Sequence, residues 1–181
     1  CFLNQCNIIS DHQYGFRPGH STSSAISEFI YKVSNCFDKK EVMLGLFLDL
    51  RKAFDTLDHT ILLNKLKHYG IRGVLLDWCQ SYLFERKQYV LVGKCESQIQ
   101  TFSCGVPQGS ILGPLLFLIY MNDIYNVSDD LHFIQFADDT SVFMSSDNII
   151  NLVNDFNNEH MKLNNWLRKN RLVLNIKKLN I

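Results

Sequence analysis

The sequence predicts an α+β domain in which an antiparallel sheet is covered by helices on one face. Three observations carry this. Strand-like and helix-like patterns alternate along the chain. Two short apolar runs, 132–137 and 140–144, are separated only by Asp138 and Asp139, which is hairpin length. Ile149, Val153, Phe156, His160, Leu163 and Leu167 step by 4, 3, 4, 3 and 4, the spacing of one long amphipathic helix. A chain of 181 residues, 46% of them hydrophobic, suits one packed domain, or one domain with a small second lobe.

Each element has a local reason. Residues 21–36 carry Ala25, Ile26, Phe29, Ile30 and Val33 at helical spacing, with Ser and Thr available as N-caps. Residues 42–48 are a nearly continuous apolar run, read as a buried strand that ends on Asp49. Asp58 can cap a helix bearing Ile61, Leu62, Leu66 and Tyr69, closed by Gly70. A second helix follows over 74–84. Residues 88–92 and 98–103 read as a hairpin around Gly93. After a Gly/Pro-marked loop at 104–113, Pro114 suits the first position of a helix over 115–124. The long helix is followed by a final strand at 172–176.

Composition excludes several classes. Only residues 111–121 are strongly apolar, too short to span a bilayer. The first residues lack a signal peptide's basic start and apolar run, so an intracellular protein, cytoplasmic or nuclear and not secreted, is expected. The six cysteines contain no C-x-x-C pair and read as reduced thiols. The zero net charge hides an asymmetry. Residues 1–94 carry 12 basic and 9 acidic groups, residues 95–161 carry 9 acids and no Lys or Arg, and residues 162–181 carry 6 basic groups and no acid. Such blocks are either solvated faces of opposite sign or a cation site beside an anion-binding surface. The chain opens on Cys1 and stops inside an apolar and basic pattern, so a fragment of a longer protein is expected.

The chemistry concentrates at three places. Phe136-Ala137-Asp138-Asp139 puts two carboxylates at a tight turn between apolar strands. Adjacent like charges repel, so they need either backbone N–H donors or a divalent cation. Hard oxygen ligands at a rigid turn suit Mg²⁺, which also keeps water and phosphate oxygens. Asp49, delivered to a sheet edge by its strand, would lie against that turn if the two strands were neighbours. Two or three carboxylates there could hold two metals roughly 4 Å apart, the arrangement for in-line phosphoryl displacement. The loop Gly105-Val106-Pro107-Gln108-Gly109-Ser110 is either a plain pre-helix loop or a ligand loop. Gly109 would allow close backbone approach, and Gln108 offers both a donor and an acceptor.

Three segments resemble a reverse transcriptase, in the expected order. They are Phe47-Leu48-Asp49-Leu50-Arg51-Lys52-Ala53-Phe54-Asp55, the loop at 105–110, and the Asp138-Asp139 turn. Tyr14-Gly15-Phe16-Arg17-Pro18-Gly19-His20-Ser21-Thr22 and Ile111-Leu112-Gly113-Pro114-Leu115-Leu116-Phe117 add support. The resemblance is to the reverse transcriptase domain of a non-LTR retrotransposon and spans residues 13–178.

That resemblance implies a right-hand polymerase palm with partial fingers. Residues 1–40 would be a fingers-side segment and 41–181 mainly palm with a fingers-side insertion, without a thumb or endonuclease domain. Asp49 and Asp138 would be the principal metal ligands, with Asp139 and the Leu50 carbonyl as further ones. The cofactor would be two Mg²⁺ ions, with Mn²⁺ as a substitute. Phe54 matches an aromatic steric gate that crowds a ribose 2′-OH. Gln108 and Gly109 match the loop beside incoming nucleotide and template. Arg17 would contact phosphate or template, or pair structurally. Lys178, in Leu174-Asn175-Ile176-Lys177-Lys178, either matches a lysine that protonates or neutralises pyrophosphate or is a surface lysine, since Leu179 replaces the family's Thr. Asp55 is expected to orient the turn before the Asp58 helix, and the histidines receive no role. The implied partners are an RNA template, a DNA primer and dNTPs, with no membrane. A second reading is a catalytically silent retroelement remnant that at most binds nucleic acid. A third, an RNA-dependent RNA polymerase, is opposed by Phe54 and by the Phe-Ala before the aspartate pair. The 181-residue piece by itself is expected to extend a primer poorly or not at all.

Overall fold

A computed structural model of the chain describes residue 6 and residues 8–175. They divide into two compact units. The first combines the residues up to Ala53 with those from Met121 onward, and the second is Phe54–Tyr120.

In the first unit, helix α1 (Thr22–Lys39) starts where sequence predicts. Ser21 accepts from Ser24 N (3.2 Å) while Ser24 Oγ accepts from Ser21 N (2.8 Å), a capping box that satisfies two orphan donors. It runs three residues past the expected end, to Lys39, and is capped by Lys40 at φ 57. Strand β1 (Val42–Leu48) has the expected bounds. Strands β6 (His132–Phe136) and β7 (Asp139–Ser146) form the central hairpin. The sheet order is β1-β7-β6, antiparallel throughout, so β7 pairs on both edges.

Helix α1 packs on the sheet through Ala25 and Phe29, which meet Ile134 and Phe143. The Phe29 and Phe143 rings are 5.0 Å apart, and Phe47 stands edge-on to Phe143 at 5.8 Å. Aromatic pairs at such spacings add to the burial of their area. Helix α5 (Ile149–Lys169) begins on Asn148, whose Oδ1 accepts from Ile150 N and Asn151 N, and it packs on β7 and β1. Its buried stripe is Leu152, Phe156, Glu159, Leu163 and Leu167. The first half is therefore rotated from the expected stripe, with Leu152 inward and Ile149 and Val153 outward. The sequence offers two overlapping apolar stripes there, and packing selects one. The strand expected at 172–176 reduces to one bridge, Leu50↔Leu174, and residue 176 lies outside the described residues.

In the second unit, α2 (His59–His68) is capped by Asp58, whose Oδ1 accepts from Ile61 N (2.9 Å). It packs on α3 (Val74–Leu83). The hairpin expected around Gly93 is interrupted. It consists of β2 (Lys87–Gln88) paired with β5 (Gln100–Thr101), and β3 (Leu91–Val92) paired with β4 (Cys95–Glu96). The register shifts by one residue between Gln88↔Gln100 and Leu91↔Glu96. Ser97 sits at the shift. Its N–H donates to Val90 O (2.9 Å) and its hydroxyl accepts from Val90 N (2.8 Å), which carries the β3–β4 pairing one residue further, up to the shift. Helix α4 (Leu112–Met121) starts two residues before Pro114. Pro114 still lies in the first turn, where a missing N–H costs no helical bond. No helix among the described residues is long and apolar enough to cross a membrane.

Candidate active site

The β1–β7 register ends at Leu48↔Thr140. Continued by one residue, it sets Asp49 opposite Asp139, and directly opposite antiparallel residues have Cα atoms about 4.5–5.5 Å apart. The β6–β7 hairpin closes at Phe136↔Asp139, so its two loop residues are Ala137 and Asp138. Asp139 is thus the first residue of β7 rather than a turn residue. Asp49 and Asp138 are half-buried and Asp139 is exposed. One end of the sheet therefore gathers all three aspartates singled out in the sequence.

The strand-end position of Asp49 is held from the C-terminal side. Asn175 Nδ2 donates to Asp49 Oδ2 (2.8 Å), and Asn175 N donates to Asp49 O (2.8 Å). Arg51 N donates to Val173 O (2.8 Å), on the other side of the Leu50↔Leu174 bridge. The Leu174-Asn175 stretch, expected to matter for its lysine, contributes its asparagine instead. Its signal was present in the same motif. Lys178 lies outside the described residues.

The donor set fits a hard cation in kind, being carboxylates with the Leu50 carbonyl as a further oxygen. Among the described residues, no group of three or more His, Cys, Asp or Glu side chains is gathered closely enough to hold a metal by itself. A cation here would complete its shell with water and phosphate oxygens, as Mg²⁺ does.

Arg17 is paired within its own segment. Its Nη1 donates to Ser10 O (2.5 Å) and Gln13 O (3.2 Å), and its Nη2 pairs with Asp11 (3.4 Å).

In the second unit, the segment after β1 and the 105–110 loop are laced together. Val106 N donates to Phe54 O (2.8 Å), and Gly105 N donates to Leu57 O (2.7 Å). His59, buried at the start of α2, donates from Nε2 to Gly105 O (2.7 Å), which requires the Nε2–H tautomer. The Phe54 ring stacks on Phe117, with centroids 4.4 Å apart and planes 27° from parallel. That fixes one face of the ring and leaves the side chain half-buried. Gln108 is exposed, and its Nε2 donates to Asp55 Oδ1 (2.8 Å). Asp55 therefore orients Gln108, while Asp58 caps the helix. Gly109 has φ 77, with no atom within 4 Å of where a Cβ would stand. Its glycine is explained by backbone conformation, not by crowding within the protein. His59 had no assigned role; a lone histidine in sequence gives no sign that it will grip a loop carbonyl.

Residues 1–181 match the family described as reverse transcriptase (RNA-dependent DNA polymerase). The chain belongs to the reverse transcriptase family. Relatives include the probable RNA-directed DNA polymerase from transposon BS of Drosophila melanogaster. It is 33% identical over 80% of this chain and 17% of its own length. The corresponding protein from transposon X-element of the same fly is 31% identical over 96% of this chain and 19% of its own. The reverse transcriptase chain thus spans less than a fifth of these curated relatives. The expected resemblance to non-LTR retrotransposon polymerases is borne out by them. Among solved structures, apo telomerase from Candida tropicalis superposes with a TM-score of 0.68 over 99% of this chain and 35% of that one, at 13% identity. Telomerase from Candida albicans, solved with a TWJ fragment of telomeric RNA, gives 0.67 over 89% and 30%, at 16% identity. At such identities the likeness is one of fold, and it agrees with the expected polymerase palm.

Proposed function

We propose that this chain is part of an RNA-directed DNA polymerase that adds dNTPs to a primer 3′-OH on an RNA template. The observation that carries the reading is the strand register that sets Asp49 beside the Asp138-Asp139 hairpin in a member of the reverse transcriptase family. Asp49 and Asp138 would be the principal holders of two Mg²⁺ ions, with Asp139 and the Leu50 carbonyl assisting and Mn²⁺ as a substitute. When bound, the ions supply the charge that lowers the hydroxyl's pKa and steadies the α-phosphate and leaving pyrophosphate. The carboxylates without cations would repel a triphosphate, so their clustering favours a metal-dependent reaction.

Phe54 would act as the steric gate against a ribose 2′-OH, its ring braced by Phe117. Gln108, oriented by Asp55, would face base or sugar, and Gly109 would let the backbone lie close to the nucleotide. Arg17 would shape the fingers-side segment, and Lys178 would neutralise pyrophosphate. The fingers-side segment would cover residues 1–40, and the palm with its insertion 41–181. An intracellular setting would suit six cysteines without a C-x-x-C pair, read as reduced thiols.

The test is primer extension on an RNA template, using the longest natural polypeptide that contains this chain. Asp138→Asn should abolish nucleotide addition while moving the melting temperature little, because the amide keeps the shape and loses the charge. A wild-type protein that folds, binds primer–template and adds no nucleotide would leave the silent-remnant reading standing.

A further inference from the structure

Ala137 is the loop residue immediately before Asp138, and it has φ 57. A two-residue hairpin loop gives this residue no partner strand, yet Ala137 is buried. Its backbone groups must be satisfied by something else.

That partner is Gln13, whose side chain is itself buried. Gln13 Oε1 accepts from Ala137 N (2.9 Å), and Gln13 Nε2 donates to Ala137 O (3.3 Å). The side-chain amide thus pairs with both backbone groups of one residue, as a peptide of a third strand would. Gln13 is fixed in turn. Gly15 N donates to the same Oε1 (2.7 Å). On the main chain, Gln135 N donates to His12 O and Tyr14 N to Gln135 O, both at 2.8 Å. Gly15 closes against the turn so tightly that a Cβ there would overlap Ala137 N. The Arg17 guanidinium donates to the carbonyls of Ser10 and Gln13 and so braces the same segment.

We propose that Gln13 is a positioning residue for the metal-binding carboxylate of Asp138. It rests on the polymerase reading above. Ala137 O belongs to the peptide plane that ends in Asp138 N, so the Gln13 amide holds that plane and sets the direction in which the Asp138 side chain leaves the turn. A carboxylate that shares cations needs this orientation, and partners that only orient metal ligands typically matter about 10- to 100-fold in metal affinity. Glutamine has the donor, the acceptor and the reach; methionine keeps the length and shape without the hydrogen bonds.

The experiment compares wild type, Gln13→Met and Leu163→Ala in the longest natural polypeptide that contains the chain. Leu163 is buried in α5 and serves as a general destabilisation control. Two readouts are taken at a temperature where all three are folded. These are hydrogen exchange of the 136–139 segment and Mn²⁺ titration followed by electron paramagnetic resonance. Gln13→Met should exchange this segment's amides faster and weaken Mn²⁺ binding about tenfold, and Leu163→Ala should change neither beyond its global stability loss. Unchanged exchange in Gln13→Met overturns the clamp. Faster exchange with wild-type Mn²⁺ affinity leaves the clamp structural and overturns its positioning role. Asp138→Asn separates the two readings. Mn²⁺ binding that ignores Asp138→Asn refutes the metal-site reading, while hydrogen exchange still judges the clamp.

Discussion

Gly105→Ala tests how the 105–110 loop is keyed to the segment carrying Phe54. Gly105 has φ 83, and a Cβ there would stand 2.6 Å from Asp55 O and 2.8 Å from Asp55 C and Cα. All three are backbone atoms, so no side-chain rotation relieves the overlap. Two costs add. Alanine in the left-handed region costs about 1–2 kcal/mol. Backing away from Asp55 stretches the Gly105 N–Leu57 O and Val106 N–Phe54 O bonds, each contributing about 1 kcal/mol. The expected loss is about 3–4 kcal/mol. For a chain of this size that lowers the melting temperature by about 10 °C. Gly93→Ala isolates the first cost, since Gly93 has φ 63 and no atom within 4 Å of a Cβ. It should lose only about 1–2 kcal/mol. The assay is thermal and urea unfolding of both variants in the same polypeptide. If Gly105→Ala destabilises no more than Gly93→Ala, the contact with the Asp55 backbone is not what demands glycine, and the reasoning fails.

Phe54→Val should raise ribonucleotide incorporation while leaving dNTP use largely intact, measured as the ratio of kcat/KM for the two sugars. Unchanged selectivity would make Phe54 only the stacking partner of Phe117. Asn175→Ala removes the donor to Asp49 Oδ2 and should raise the Mg²⁺ concentration for half-maximal extension about tenfold. Asn175→Asp, which sets a like charge against Asp49, should be worse. A pH dependence follows from Glu159. The Lys162 ammonium, with Ser128, holds its carboxyl below the ordinary carboxylate range. A depressed folded-state pKa gives stability that is complete above that range and lost as pH falls through the folded-state value. Melting temperatures followed from about pH 6 down to about pH 3 should therefore fall less steeply in Glu159→Gln than in wild type; parallel curves would remove Glu159 from the account.

What the amino-acid sequence by itself determined was whatever depends on neighbours within a few residues. Ser21 and Asp58 open their helices as side-chain caps, and the apolar run from Val42 to Leu48 is a strand with those bounds. Five motif segments in order, among them those of Asp49, the 105–110 loop and the Asp138-Asp139 pair, carried a resemblance to the family that the family match bears out, because the residues of a motif are a property of the chain, not of its folding. Tertiary structure decided the partners of polar groups. Asp49 meets Asn175 across 126 residues, and Gln13 meets Ala137 across 124. No periodicity encodes such a pairing, since one side-chain amide satisfies any backbone it is brought to. Register likewise escaped the sequence. The hairpin around Gly93 slips by one residue because its strands are exposed and no buried face penalises the slip. In α5 two apolar stripes compete, and the sheet beneath it chose Leu152 over Val153 because only one stripe can be turned toward a close-packed surface at a time.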